Sequence, residues 1–257
     1  MQTTQITFMS LLLAHLLGDF PLQSESISRN KGTSLRALGI HGIIHLVLAW
    51  ACLLIFAQVR LLSISTQLVI LLYIAAHLLI DKLKCRLTLR RTLPDDWKTF
   101  LLDQLIHGIV LAIAAILLTG TSVGELIRWA ALTTEAKTHV LEVAIVYVAV
   151  IFGGGYLIRY LTRGLAIDTP ANSPAHLENA GLYIGWLERL LVITAVALQT
   201  PALVGLILTG KSIARFPEFK EARFVEYFLI GTLLSIALSV LGGIVLLQLI
   251  YGTVSLK

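Results

Sequence analysis

The 257-residue chain is 57% hydrophobic and only 14% charged, with a mean hydropathy of +0.86. A water-soluble domain carries about 25% charged residues, so this composition excludes an ordinary soluble globule. The net charge of +5 and pI near 9.3 do not mark a nucleic-acid binder, because the Lys and Arg residues sit in short segments between apolar runs. Basic residues placed there act as orientation signals for membrane insertion.

An apolar run of about 20 residues crosses a bilayer as a helix. Lipid offers no partner for free backbone groups, and runs of this length exclude barrel strands. Such runs predict helices over 5–23, 34–58, 66–83 and 98–119, then over 139–160, 181–199, 201–215 and 224–251. The fold class is therefore all-α, a polytopic membrane protein of about eight transmembrane helices. Residues 1–120 form a four-helix bundle, 121–138 a periplasmic interfacial segment, and 139–257 a C-terminal bundle of three to four spans. The first run lacks a basic leader and carries His15 and Asp19, which predicts a retained span rather than a cleaved signal. In the fifth run, Gly153-Gly154-Gly155 permits close packing or a break. Between the sixth and seventh runs, Thr200-Pro201 either ends one helix or kinks a longer one. Cys52 lies in an apolar run and Cys85 in a basic loop, a pattern that implies no disulfide framework.

The basic residues set the orientation. Arg29, Lys31 and Arg36 follow the first span, and Lys82, Lys84, Arg86, Arg90, Arg91 and Lys98 flank the loop after the third. Arg159 and Arg163 follow the fifth, and Lys211, Arg215, Lys220 and Arg223 follow the seventh. Loops after even-numbered spans carry far fewer, so the loops after odd-numbered spans are cytoplasmic and both termini lie outside.

Polar side chains within spans are costly and mark function by default. Here they recur in pairs: His15/Asp19, His41/His45, His77/Asp81 and Asp103/His107, one pair on each of the first four spans. Spacing of i, i+4 puts both members on one helix face, one turn apart, where they can chelate one ion or line a polar channel. Antiparallel spans would bring like residues to like depth, with His15, His45, His77 and His107 in an inner layer about 6 Å below Asp19, His41, Asp81 and Asp103. Neutral imidazole with carboxylate suits a divalent metal, zinc above all, with iron or manganese next. Eight donors exceed the needs of one tetrahedral ion, so two ions, or one ion with Asp groups orienting its His ligands, use the set better. A carboxylate left off the metal, among Asp19, Asp81 and Asp103, would serve as a catalytic base. Gln23 and Gln104 either orient ligands or, as polar residues near helix ends more often do, are simply solvated, whereas His139 and His176 lie at span or loop edges and are left out.

A second cluster lies toward the C-terminus. Glu188 and Arg189 sit inside the sixth span, Lys211 and Arg215 lie one turn apart near the seventh, and Glu226, Gly231, Thr232 and Ser235 follow in the eighth. Glu188 at that depth requires a cation, with Arg189, Lys211 or Arg215 as the partner, either as a structural ion pair or as part of a substrate-binding pocket for a phosphate or lipid head group.

Through HLLGDFPLQ (15–23), HGIIH (41–45), HLLIDKLK (77–84) and FLLDQLIH (100–107), the chain resembles a bacterial inner-membrane family known as domain of unknown function 3307. Toward the C-terminus, IGWLERLL (184–191), GKSIARF (210–216) and EYFLIGTLLS (226–235) look like an extension found in some members. The resemblance implies a multi-pass protein of the bacterial inner membrane, with the lipid bilayer as its surroundings, and implies no activity. A more distant likeness, in His/Asp helix pairs, is to membrane-bound metal-dependent hydrolases. Two functional classes follow from the residues: a hydrolase of a lipid or lipid-linked phosphoester working from the cytoplasmic side, or a transporter of divalent metal or protons through the same cluster. A structural membrane subunit, with metal stapling the bundle, is the third.

Overall fold

The computed structural model describes residues 2–57, 59–120, 136–165, 180–219 and 222–252. Among them the chain is helical throughout, with α1 Gln2–Asp19, α2 Glu25–Asn30, α3 Leu35–Phe56, α4 Ile64–Leu89 and α5 Trp97–Thr119. There follow α6 Ala136–Val148, a π-helical turn Ala149–Gly153, α7 Gly154–Thr162, α8 Ala180–Ala197, α9 Ala202–Arg215 and α10 Ala222–Tyr251. The chain divides into two compact units, residues 1–145 and 146–257.

Local sequence explains the helix starts. Ser24, Ser34, Ser63 and Asp96 each stand in extended backbone, and each accepts from the backbone N–H three residues on, at Ile27, Ala37, Thr66 and Thr99. Such caps satisfy one of the donors a helix start leaves free. At the end of α5, Gly120 takes φ 68°, the left-handed stop that favours glycine.

Among the described residues five helical stretches are long and apolar enough to cross a membrane: Leu35–Phe56, Ile64–Leu89, Trp97–Thr119, Thr138–Leu165 and Arg223–Tyr251. Their polarity is turned inside out relative to a soluble bundle. Outward faces carry Leu54, Leu72, Leu79, Leu105 and Leu117, all more than half exposed, while His and Asp are buried. Water would penalise that arrangement, and lipid favours it. Several boundaries differ from the sequence expectation. The first helix stops at Asp19, and the short α2 takes over from residue 25; α4 runs on to Leu89, so Lys84 is helical. Proline 201 does end a helix, since α8 and α9 are separated by residues 198–201, with Gln199 at φ 57°. The expected interfacial segment falls mostly on 121–135, outside the described residues, as does His176.

In the first unit α1, α3, α4 and α5 close a ring in which α1 packs on α3 and α5, and α4 packs on the same two. Register pairs run in opposite senses. Gln23 meets His41 and Asp19 meets His45 across α1 and α3, and Lys84 meets Asp103 across α4 and α5. Neighbouring helices are thus antiparallel. One end of the bundle is filled by an apolar plug that includes Leu11, Ala49, Leu53, Ile70, Leu111 and Ala115. In the second unit α8 packs on α9 and α10, and α7 packs on α8 and α10.

Candidate metal centre

Helix register brings the four pairs together. They are the fourteenth and eighteenth residues of α1 and α4, and the seventh and eleventh of α3 and α5. An i, i+4 pair on each inward face therefore meets its counterparts at one level of an antiparallel ring. All eight side chains are buried, none more than 7% exposed.

The donor spacing is that of a coordination shell. Metal–ligand bonds of about 2.0–2.1 Å in a tetrahedron place the donors about 3.3–3.4 Å apart. His41 Nε2 lies 3.3 Å from Asp19 Oδ1, 3.1 Å from Asp81 Oδ2 and 3.1 Å from His77 Nε2. His77 Nε2 in turn lies 3.5 and 3.6 Å from the same two carboxylate oxygens. Beside this set, His45 Nε2 stands 3.1 Å from Asp19 Oδ1 and His15 Nε2 stands 3.6 Å from Asp19 Oδ2. Three groups of donors lie within 4.8 Å of one another: His15/Asp19/His45/His77, Asp19/His41/His77/Asp81 and Asp81/Asp103/His107. The expected two layers are not separate. Asp19 of the outer layer touches His45 and His77 of the inner one, because side chains on a helix lean toward its N-terminus and those of antiparallel partners lean toward each other.

Charge completes the geometry. The Lys31 Nζ donates to Asp81 Oδ2 at 2.7 Å and Lys84 Nζ to Asp103 Oδ2 at 2.8 Å. Burial works against the charge on Lys31, but Asp81, with Asp19 beyond it, holds that ammonium above its ordinary value. Asp19 has no such partner. Its ion partners among the described residues are all imidazoles: His15, His41, His45 and His77. A carboxylate buried among apolar helices requires a cation, so this site calls for an imidazolium or a metal ion. A proton satisfies one nitrogen; a metal ion takes lone pairs from several. Nε2 of His15 and Nε2 of His107 are buried without a hydrogen-bond partner, which leaves their lone pairs to a cation. Those residues fit a divalent ion.

Gln23 Nε2 lies 3.4 Å from the ring nitrogens of His41, and Gln104 Nε2 donates to Asp103 Oδ2 at 3.3 Å, so both orient donors. His107 Nδ1 is held by the Asp103 carbonyl oxygen at 2.9 Å. The two lysines are site residues that sequence reasoning takes only as orientation signals. For Lys84 a clue exists: it follows Asp81 by three residues on a helical face. His139 stands apart, paired with Glu142 at 3.6 Å.

The C-terminal cluster forms a separate site in the second unit. Of the three cations offered to Glu188, Lys211 takes it, with its Nζ donating to Oε2. Arg189 instead donates from Nε to the Ile151 carbonyl oxygen at 2.8 Å and from Nη1 to Ser235 Oγ at 3.5 Å. Its guanidinium fits only because Gly155 and Gly185 lack a Cβ, which would stand 2.7 and 3.2 Å from Arg189 nitrogens. The glycine run thus does one of the two things expected of it. The helix widens into a π turn ending at Gly153 without breaking, and Gly154 packs against Leu238, so close packing is the outcome. Arg215 lines the same cavity, whereas Glu226 does not.

The chain belongs to the family described as protein of unknown function (DUF3307), whose model matches residues 7–151, a stretch that contains all eight donors. None of the curated proteins and none of the solved structures matches it.

Proposed function

We propose that the first unit is a membrane-embedded, metal-dependent hydrolase acting from the cytoplasmic side on a lipid or lipid-linked phosphoester. The observation that carries the reading is Asp19: a buried carboxylate 3.1–3.6 Å from four imidazoles, with no Lys or Arg at ion-pair distance among the described residues. In this reading the chain crosses the bacterial inner membrane about eight times, with both termini outside, as the distribution of Lys and Arg directs. His15, His41, His45 and His77, with Asp19 and Asp81, would hold zinc, or iron or manganese in its place. A divalent ion, when bound, supplies Lewis acidity for phosphoester cleavage.

The chain's own residues do the rest. Asp103 Oδ2 is occupied by Lys84 and Gln104, while its Oδ1, 3.7 Å from His107 Nδ1, is buried without a hydrogen-bond partner. That oxygen is the general base, taking a proton from the attacking water. Lys84, about a quarter exposed, would pair with a phosphoryl oxygen of the substrate. An apolar groove lined by Leu83, Leu87, Leu102 and Ile106 leads to Lys84 and Asp103, which supports a substrate with an acyl or prenyl tail.

A transporter of divalent metal or protons is the second reading. It is favoured by Thr4, Thr7 and Ser10, buried on α1 beyond His15, which give that half of the bundle more polarity than the sequence suggests. Against it, Thr4 bonds Thr119 and Ser10 donates to the Ile6 carbonyl oxygen, so these hydroxyls are spent within the bundle. Metal analysis of protein purified without chelators, wild type against His77→Ala, is the test. Bound metal lost in the variant supports the centre, and metal-free wild type overturns it. Cleavage of a lipid phosphoester then selects the hydrolase, and metal uptake into proteoliposomes the transporter.

A further inference from the structure

The second unit holds a buried cation without an anion. Arg189 is 5% exposed, yet the acceptors it bonds are neutral, the Ile151 carbonyl and the Ser235 hydroxyl. Among the described residues its hydrogen bonds run from Nε and Nη1 to these neutral acceptors, and no carboxylate forms an ion pair with it. The neighbouring Glu188 is committed to Lys211 through Oε2, and its Oε1 is buried without a partner. Burying a guanidinium costs several kcal/mol unless an anion compensates it.

The surroundings are built rather than accidental. Arg189 opens onto a cavity of about 290 Å³, which Lys211 and Arg215 also line. Among the described residues the wall carries Arg189, Lys211 and Arg215 beside Glu188. The π turn at 149–153 supplies the carbonyl that fixes Nε, and turns of this kind recur where a helix serves a site. Thr232 and Ser235, both buried, add hydroxyls to the same wall. Near the Lys211 side, Phe219, Phe224 and Phe228 pack together, and the Lys211 ammonium sits 5.3 Å over the Phe228 ring. Basic residues clustered at the end of a membrane helix are characteristic of the head-group level.

We propose that this cavity binds a phosphate-bearing anion, with the Arg189 guanidinium as its main contact and Lys211 and Arg215 as flanking cations. Arginine is suited to this because its planar fork matches two phosphate oxygens. The site does not depend on the metal centre of the first unit. The anion is either a lipid head group or a free phosphate, and the experiment separates the two.

Full-length protein in a neutral detergent is titrated calorimetrically with short-chain phosphatidic acid, with inorganic phosphate, and with diacylglycerol of the same chains. Saturable binding of phosphatidic acid but not of phosphate identifies a head-group site, and binding of both a free-anion site; diacylglycerol does not bind. Arg189→Gln weakens binding about tenfold or more, the value of a lost hydrogen-bonded charge. Glu188→Gln removes the competing carboxylate and tightens binding severalfold, a gain that a purely structural ion pair would not give. No saturable binding of either phosphate probe, or unchanged affinity in Arg189→Gln, overturns the proposal. If Arg189→Gln does not fold, Glu188→Gln decides, and unchanged or weaker affinity there overturns it.

Discussion

Gly18→Ala isolates the metal centre from the fold. A Cβ at position 18 would lie 2.6 Å from both Cε1 and Nε2 of His45, where ordinary contact begins at 3.4 Å. The imidazole must therefore move by about 0.8 Å, several times the ±0.2 Å within which metal–ligand distances hold. It has nowhere to go without disturbing its neighbours, since the His77 and His41 ring centroids lie 4.0 and 4.5 Å away. Misorienting a ligand costs about 10- to 100-fold in metal affinity, or about 1.4–2.7 kcal/mol. The helix itself is spared: alanine gains up to about 1 kcal/mol over glycine, which opposes a repacking cost of about 1–3 kcal/mol. Two controls share the chemistry without the contact. Gly39 and Gly108 flank the same donors on α3 and α5, and a Cβ at either meets nothing within 4 Å. Chelator competition should show Gly18→Ala alone losing metal affinity, with circular dichroism unchanged in all three. Wild-type affinity in Gly18→Ala would refute the assignment of His45 as a ligand.

Lys84→Met removes an ammonium 2.8 Å from Asp103 Oδ2, which leaves that carboxylate free for a divalent cation. Metal affinity measured by competition titration rises about tenfold while phosphoester turnover falls; unchanged affinity argues against Asp103 facing the centre. Asp96 caps α5, and the Thr99 backbone N–H holds its carboxyl below its ordinary value of 3.8. A carboxyl whose value is lower folded than unfolded stabilises fully above the unfolded value and loses that contribution as pH falls through the folded one. Asp96→Ser keeps a capping oxygen without the charge, so thermal melts should match wild type at neutral pH and fall less steeply in acid.

The centre is legible in sequence because charge and imidazole inside apolar runs have no bland explanation, and because an i, i+4 repeat on four spans fixes a face and a level. Nothing comparable marks Lys31 and Lys84. Basic residues beside a span serve orientation whether or not they also reach a carboxylate, so only the extension of α4 to Leu89 and the packing of residue 31 against it reveal the ion pairs. The mixing of the two layers is hidden for another reason. Rise per residue gives the depth of each Cα, whereas Asp19 and His45 meet through side-chain lean, which spacing does not encode. At 153–155 the glycines permit a break or close contact equally, and the choice depends on Arg189 and Leu238, far away in sequence.

In the metal-binding reading, the donor sets also bear on how many ions the cluster would take. A neutral imidazole bound through Nε2 keeps its proton on Nδ1, so His77 serves one ion and not two. Its Nε2 faces His41, Asp19 and Asp81, a complete four-donor set. What remains is His15, His45 and Asp19, three donors, the number that leaves a catalytic zinc open to water. Asp19 touches donors of both sets, with Oδ1 toward His41, His45 and His77 and Oδ2 toward His15. If each donor set holds a divalent ion, native mass spectrometry should find two metals per chain. His15→Ala then loses the ion of the three-donor set and the activity but retains the other, while His41→Ala loses the ion of the four-donor set. Full metal content in His15→Ala would refute the pair of ions and leave a single ion, held by His41, His77, Asp19 and Asp81, to explain all the chemistry.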